Sequence, residues 1–160
     1  LTLFLGMAEG LQPVFSYLHA AGEHKKLNQI LKIGVIVFLV LGIGSYVFAA
    51  KGSIFFYRIF TPEDHALAVF AAGKSIPYFC GFFCAGLNIL MISYYQSCSY
   101  SGKALLFSSL RGLILPAILV LILPMALGNE TLWICHSIAE ILTMVLVLVI
   151  NRTGKPFRIL

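Results

Sequence analysis

The stretch "ILKIGVIVFLVLGIGSYVFAA", residues 30–50, carries one charge, Lys32, near its start. A bilayer's hydrocarbon core is about 30 Å thick, and a helix needs roughly 20 apolar residues to cross it. By length and composition this stretch is a membrane span. Apolar runs over residues 1–21, 76–98, 104–127 and 132–150 have the same character. The expected fold is therefore all-α, an integral membrane protein with five transmembrane helices.

Composition agrees. The chain has 160 residues, 60% of them hydrophobic and only 11% charged, with mean hydropathy +0.97. Soluble domains are about a quarter charged, and one of this size could not build a polar exterior from so few polar residues. A membrane setting also changes how the net charge of +5 reads. The basic residues are sorted first by their position relative to the spans, and no nucleic-acid partner is expected. No basic leader with a short apolar stretch and cleavage site is present, so no signal peptide is expected. The sequence starts within hydrophobic residues, which suggests a piece of a longer protein. Cys80, Cys84, Cys98 and Cys135 lie in or beside apolar runs. They read as buried free thiols, and no metal site is expected because no His, Asp or Glu accompanies Cys80 and Cys84.

The third span requires a break. "TPED", residues 61–64, reads as a helix start, with Thr61 as N-cap and Pro62 in the first turn. A straight helix from there to Cys98 would be about 55 Å long, too long for the core. "GKSIP", residues 73–77, offers the interruption. Together with the aromatic "SIFFYRIF", residues 53–60, this makes residues 53–72 an expected interfacial segment. Arg111, near one end of the fourth span, is expected to snorkel toward the headgroups. Lys25, Lys26, Lys32, Lys103, Arg111, Arg152, Lys155 and Arg158 then share one side, against Lys51, Arg58 and Lys74 on the other. The richer side should be cytoplasmic, placing the C-terminus inside a multi-pass cell-membrane protein.

Polar residues within spans carry the functional reading. Glu9 lies about 12 Å from the visible start of the first span by helical rise, and intramembrane acids tend to mark transport paths. Low-dielectric surroundings favour the neutral form of a carboxyl, so an acid at such depth is a candidate proton carrier. Gln12 and Pro13 share its helical face. Pro13 has no N–H for the carbonyl four residues back, which is Glu9's own. Glu9 and Gln12 are therefore candidates for proton or cation coupling. Glu140 and His136 are also candidates, because His136, Glu140 and Thr143 form one polar stripe in the fifth span and His136 can reach Glu140. Pairing with another helix is the alternative for each acid. Tyr17, Asn88, Tyr95 and Gln96 are candidates for a substrate cavity, with Phe82 and Phe83 adding aromatic faces. For Asn88, helix–helix hydrogen bonding competes with that role. Pro13, Pro116 and Pro124 are candidate kinks, with Gly112 beside Pro116. Trp133 reads as an interface anchor.

The segment "GLQPVFSYLHAAGEHKKLNQILKIG", residues 10–34, resembles the Q-P-x-x-S-Y-x-x-G-A segment of the MATE (multidrug and toxic compound extrusion) family of transporters. The order that follows is similar too: an apolar helix, a loop with "FTPED", then "GLNILMISYYQSCSYSGKALLFSSLRGLILPAILVLILP", residues 86–124, then "LW" and "AEIL". The resemblance implies about twelve helices in two six-helix lobes. This chain would be most of the second lobe, lacking that lobe's first helix. It further implies antiport of drugs or organic cations against H⁺ or Na⁺, with no other cofactor. The partners would be the missing N-terminal lobe, the missing helix, the bilayer and small organic cations. Such a piece alone would be inactive. The sequence departs from the pattern at Leu18, Ala20 and Ala21. It also has Ala85 where one branch carries an Asp, so that branch's cation site does not carry over.

Two alternatives remain. A lipid-linked sugar flippase of the same superfamily would call for a basic central cavity, and no basic residue is expected at mid-span. A non-transporting membrane scaffold would leave the acid and proline of the first helix unexplained. No P-loop, G-x-S-x-G or H-E-x-x-H pattern and no nucleophile–base pair occurs, so no enzymatic activity and no catalytic residue is expected.

Overall fold

The structure, a computed structural model, describes residues 1–61 and 63–153. Every regular element among them is helical: α1 (Thr2–Ala20), α2 (His24–Phe60), α3 (His65–Cys80), α4 (Phe82–Ser97), α5 (Ser101–Ser109), a π-helical turn (Leu110–Ile114), α6 (Leu115–Leu127), a 3₁₀ turn (Asn129–Thr131) and α7 (Leu132–Thr153).

Local chemistry sets the turns. After α1, Gly22 takes φ +70°. Its N–H bonds the His19 carbonyl, and the Glu23 N–H bonds the Leu18 carbonyl. This pair of bonds closes a helix end that needs left-handed backbone, which glycine adopts at little cost. The α4 end uses the same device with a costlier residue: Ser99 sits at φ +64° while the Tyr100 N–H reaches the Tyr95 carbonyl.

Helix α4 is the centre of the bundle. Ten of its sixteen residues are buried, from Phe82 to Tyr95, whereas α6 buries none. Helices α1, α4 and α7 run parallel. The ring of Phe4 meets that of Phe82 at 6.2 Å, Ser93 Oγ donates to the Ala8 carbonyl at 2.9 Å, and Ser16 Oγ donates to the Ser97 carbonyl at 3.3 Å. On the other side of α4, Gly81 meets Ser137, Asn88 meets Glu140, and Tyr95 meets Asn151. Helix α2 returns antiparallel along a stripe of Leu27, Leu31, Gly34, Phe38 and Gly42, spaced at helical intervals. Gly42 allows the close approach: a Cβ there would lie 3.2 Å from the Phe83 Cα.

Three segments are long and apolar enough to cross a membrane: His24–Phe60, Ser101–Leu127 and Asn129–Asn151. The pair α3 and α4 makes a fourth if its 43° bend is taken as one broken span. Helix α1 has the length, 19 residues, but is not among them; Glu9, Gln12, Ser16 and His19 lower its hydropathy. Five spans are thus more than the apolar helices themselves supply.

Several local expectations need correction. Thr61 does not start a helix. It ends α2, with its Oγ1 donating to the Tyr57 carbonyl at 2.8 Å. The N-cap of α3 is Asp64, which accepts the Leu67 N–H at 2.8 Å; Pro62 lies outside the described residues. The "SIFFYRIF" segment is the continuous end of α2, so the expected interfacial segment is divided between two helices. The interruption expected at residues 73–77 is absent, because α3 runs through them. The break falls at Gly81, and its cause is a side chain from α7. Ser137 Oγ accepts the Gly81 N–H at 2.9 Å and lies 2.5 Å from the Pro77 carbonyl. It stands where the helical bond from residue 81 to residue 77 would form, and insertion into that ladder bends a helix. Of the three prolines, Pro13 and Pro124 lie inside continuous helices. Pro116 follows the π turn, which takes up the loss of a bond to the Gly112 carbonyl.

The helix ends gather in two groups. The α1–α2 turn, the α4–α5 turn and the end of α7 lie together, through His19 against Tyr100 and Tyr95 against Asn151. Lys103 packs over the rings of Tyr95 and Tyr100 there. At the opposite end Lys74 pairs with Glu130. Lys155 and Arg158 lie outside the described residues.

Candidate functional site

Arg111 does not snorkel. It lies in the π turn, ten positions into the segment Ser101–Leu127, about 15 Å along by helical rise. Its Nε donates to Glu140, at 2.8 Å from Oε1 and 2.9 Å from Oε2. The Glu140 side chain is 3% exposed and that of Arg111 17%. Asn88, fully buried on α4, completes the group: its Nδ2 donates to Glu140 Oε2 at 2.8 Å and to the Glu140 carbonyl at 2.9 Å. A buried carboxylate is tolerated only when a counter-charge and hydrogen bonds replace its water, and Glu140 has both. α4, the π turn and α7 are therefore joined at mid-length by one three-residue polar network.

In front of this network is a cavity of about 220 Å³ between α1, α4 and the π turn. Glu9, Gln12, Ser93, Gln96, Ser108 and Arg111 supply its polar walls. Arg111 belongs to both, with Nε on buried Glu140 and the residue itself in the cavity wall. Glu9 is exposed and makes no hydrogen bond or ion pair among the described residues. A second hollow of about 210 Å³ shares Ile92, Gln96 and Ser108 and extends along α5. No family model, curated protein or solved structure matches the chain.

The candidates from the sequence divide into two groups. Glu9, Gln12 and Gln96 come together in the cavity. Glu140 and Asn88 lie behind it in the buried network. Tyr95 is also core rather than cavity wall: its hydroxyl donates to Asn151 Oδ1 at 2.5 Å, and its ring stacks on Phe107. Phe82 packs against Phe4, and Phe83 against Tyr46, so neither lines the cavity. Tyr17 is 73% exposed and outside it. The expected His136–Glu140 bond is not formed, since the Glu140 oxygens face Arg111 and Asn88. His136 instead stacks on Tyr78 at 4.7 Å, leaving its Nε2 without a hydrogen-bond partner among the described residues. Thr143 is buried and bonds the Ala139 carbonyl of its own helix. Trp133 packs edge-on against Phe70.

Sequence reading missed Arg111. The available signal was its position, seven residues inside an apolar run beginning at Ala104. A basic residue there either snorkels or pairs with an acid, and Glu140 is the acid within a neighbouring span. Among the described residues no group of three or more His, Cys, Asp and Glu side chains is arranged to hold a metal ion.

Proposed function

We propose that the chain is the second lobe, without its first helix, of a MATE-like secondary antiporter that exports drugs or organic cations in exchange for H⁺ or Na⁺. The observation that carries this reading is Glu9, an unpaired acid on the wall of a polar cavity halfway along α1. A carboxylate so placed can take a proton or a cation in turn, and its charge state then biases which of two lobe arrangements is favoured. The resemblance of the "QP" segment in α1 supports the same reading, as does the parallel placement of α1 and α4 around the cavity. The missing lobe would cover the exposed face of α1 and close the site, in a multi-pass cell-membrane protein whose C-terminus is cytoplasmic. The five-span count belongs to this proposal, with α1 crossing as a half-polar helix shielded by its neighbours.

One observation favours the second reading, a lipid-linked sugar flippase. Arg111 is a mid-span basic residue in the cavity wall, the feature such a protein calls for. Its charge is already matched by Glu140, which leaves Glu9 as the uncompensated group and keeps antiport of cations ahead. The deciding experiment is flux of an organic cation by the intact protein in proteoliposomes, with H⁺ and Na⁺ gradients imposed separately. Antiport predicts uptake or release that follows one of the two gradients. Transport of a lipid-linked sugar with no response to either gradient would overturn it.

A further inference from the structure

Arg111 uses one of its five N–H donors, Nε, on Glu140. Its two Nη groups make no hydrogen bond among the described residues. The residue nevertheless lines the cavity, and its position is fixed from behind by Glu140, itself held by Asn88. A guanidinium held through Nε keeps its remaining Nη fork available, and that fork matches the two oxygens of a carboxylate. Glu9, unpaired, is in the wall of the same cavity, with Gln12, Gln96 and Ser108 as neutral donors and acceptors. Glu9, Arg111 and Glu140 together leave one negative charge if all are ionised. An anion alone would meet that charge unfavourably, and a simple cation would leave the fork unused.

We propose that Arg111 is a specificity-determining residue, and that the cavity takes a small zwitterion, with the ligand's carboxylate on the Arg111 Nη groups and its ammonium toward Glu9. At about 220 Å³ the cavity is smaller than the roughly 300–1,000 Å³ of sites for drug-sized molecules, which favours a compact ligand. Glu140 and Asn88 are positioning residues that hold the guanidinium. This inference rests on the cavity being the transport site, and it narrows the substrate from organic cations to amino-carboxylates.

The test is equilibrium binding to the intact protein in phosphatidylcholine nanodiscs, using three matched probes. These are 4-(aminomethyl)benzoate, a zwitterion; 4-(aminomethyl)benzamide, a cation; and 4-methylbenzoate, an anion. The zwitterion should bind about tenfold more tightly than either single-charge probe, the scale of a charge-assisted bidentate contact. Arg111→Gln alone strands Glu140, so the comparison uses Arg111→Gln with Glu140→Gln, checked for helicity and monodispersity. In that double variant the zwitterion should lose its advantage over the cation. Glu9→Gln should weaken both amines alike and strengthen binding of the anion, because it removes the charge that repels it. Equal binding of 4-(aminomethyl)benzoate and 4-(aminomethyl)benzamide by the parent protein overturns the inference, and so does no binding of any probe; neither result depends on a variant folding. Gradient-driven export of cations with equal probe affinities would sink this inference and leave antiport standing. A tenfold preference without gradient-driven flux would do the reverse.

Discussion

Arg111 and Glu140 meet at 2.8 Å between the π turn and the middle of α7, with the carboxylate almost wholly removed from solvent. Removing one partner of a buried pair leaves an uncompensated charge and costs about 3–5 kcal/mol, whereas replacing both with apolar residues of similar size is often neutral. Arg111→Met or Glu140→Leu alone should therefore lower stability by that amount. The double variant should recover most of it, as measured by denaturant unfolding in detergent. Lys74–Glu130 is the control. It joins α3 to the α6–α7 turn, but Glu130 is 70% exposed, and Glu130→Gln should change stability by less than about 1 kcal/mol.

Asn88 should prove coupled to Glu140. Its amide makes two hydrogen bonds to that residue, one of them to the carboxylate, and bonds to charged groups contribute about 1.5–3 kcal/mol. Asn88→Ala should cost about that much in the parent chain and clearly less in a Glu140→Leu background. A double-mutant cycle of unfolding free energies should give a coupling of about 0.5–3 kcal/mol. Additive effects would mean that the amide only fills space.

The α3–α4 bend should depend on Ser137. A Cβ on Gly81 would lie 2.7 Å from the Ser137 Cα, a backbone atom that cannot rotate away. Gly81→Ala should therefore cost about 1–3 kcal/mol, the range for overpacking. Gly44 has open space at its Cβ position, so Gly44→Ala should be neutral or stabilising by up to about 1 kcal/mol. Ser137→Ala removes the hydroxyl that stands between Gly81 and Pro77, allowing the direct helical bond. Spin-label distances between α3 and α4 should then report a bend smaller than 43°.

Ser99 occupies left-handed backbone at φ +64°, which costs a non-glycine residue roughly 1–2 kcal/mol. Ser99→Gly should raise the thermal midpoint by a few degrees, since glycine takes this conformation readily while gaining disorder when unfolded. A fall in the midpoint would show that the Ser99 side chain contributes more than its backbone strain removes.

Much of the fold was legible in the sequence because apolar run length is a one-dimensional signal. The apolar part of α2, the segment Ser101–Leu127 and α7 were all visible as spans. The break in the third span was not, because its cause lies 56 positions away: "GKSIP" holds the usual helix-breaking residues, yet the bond actually interrupted is the one Ser137 enters. Thr61 before proline has the form of an N-cap, but α2 continues to Phe60 and uses it at its end. The site was half legible. Glu9 and Gln12 declare themselves as polar residues inside an apolar helix. Arg111 looked like a residue at a span's margin until the position of Glu140 was known, and the choice between snorkelling and pairing is a tertiary matter.

The central claim is that Glu9 couples ion movement to export. Its direct measurement is efflux of an organic cation from cells expressing the intact transporter, parent against Glu9→Gln, at equal membrane abundance and under the gradient that drives the parent. The account predicts that Glu9→Gln loses gradient-driven efflux by about tenfold or more, the scale of losing one charge interaction of about 1.4 kcal/mol. Efflux and drug resistance equal to the parent's, with the same dependence on the gradient, would contradict it.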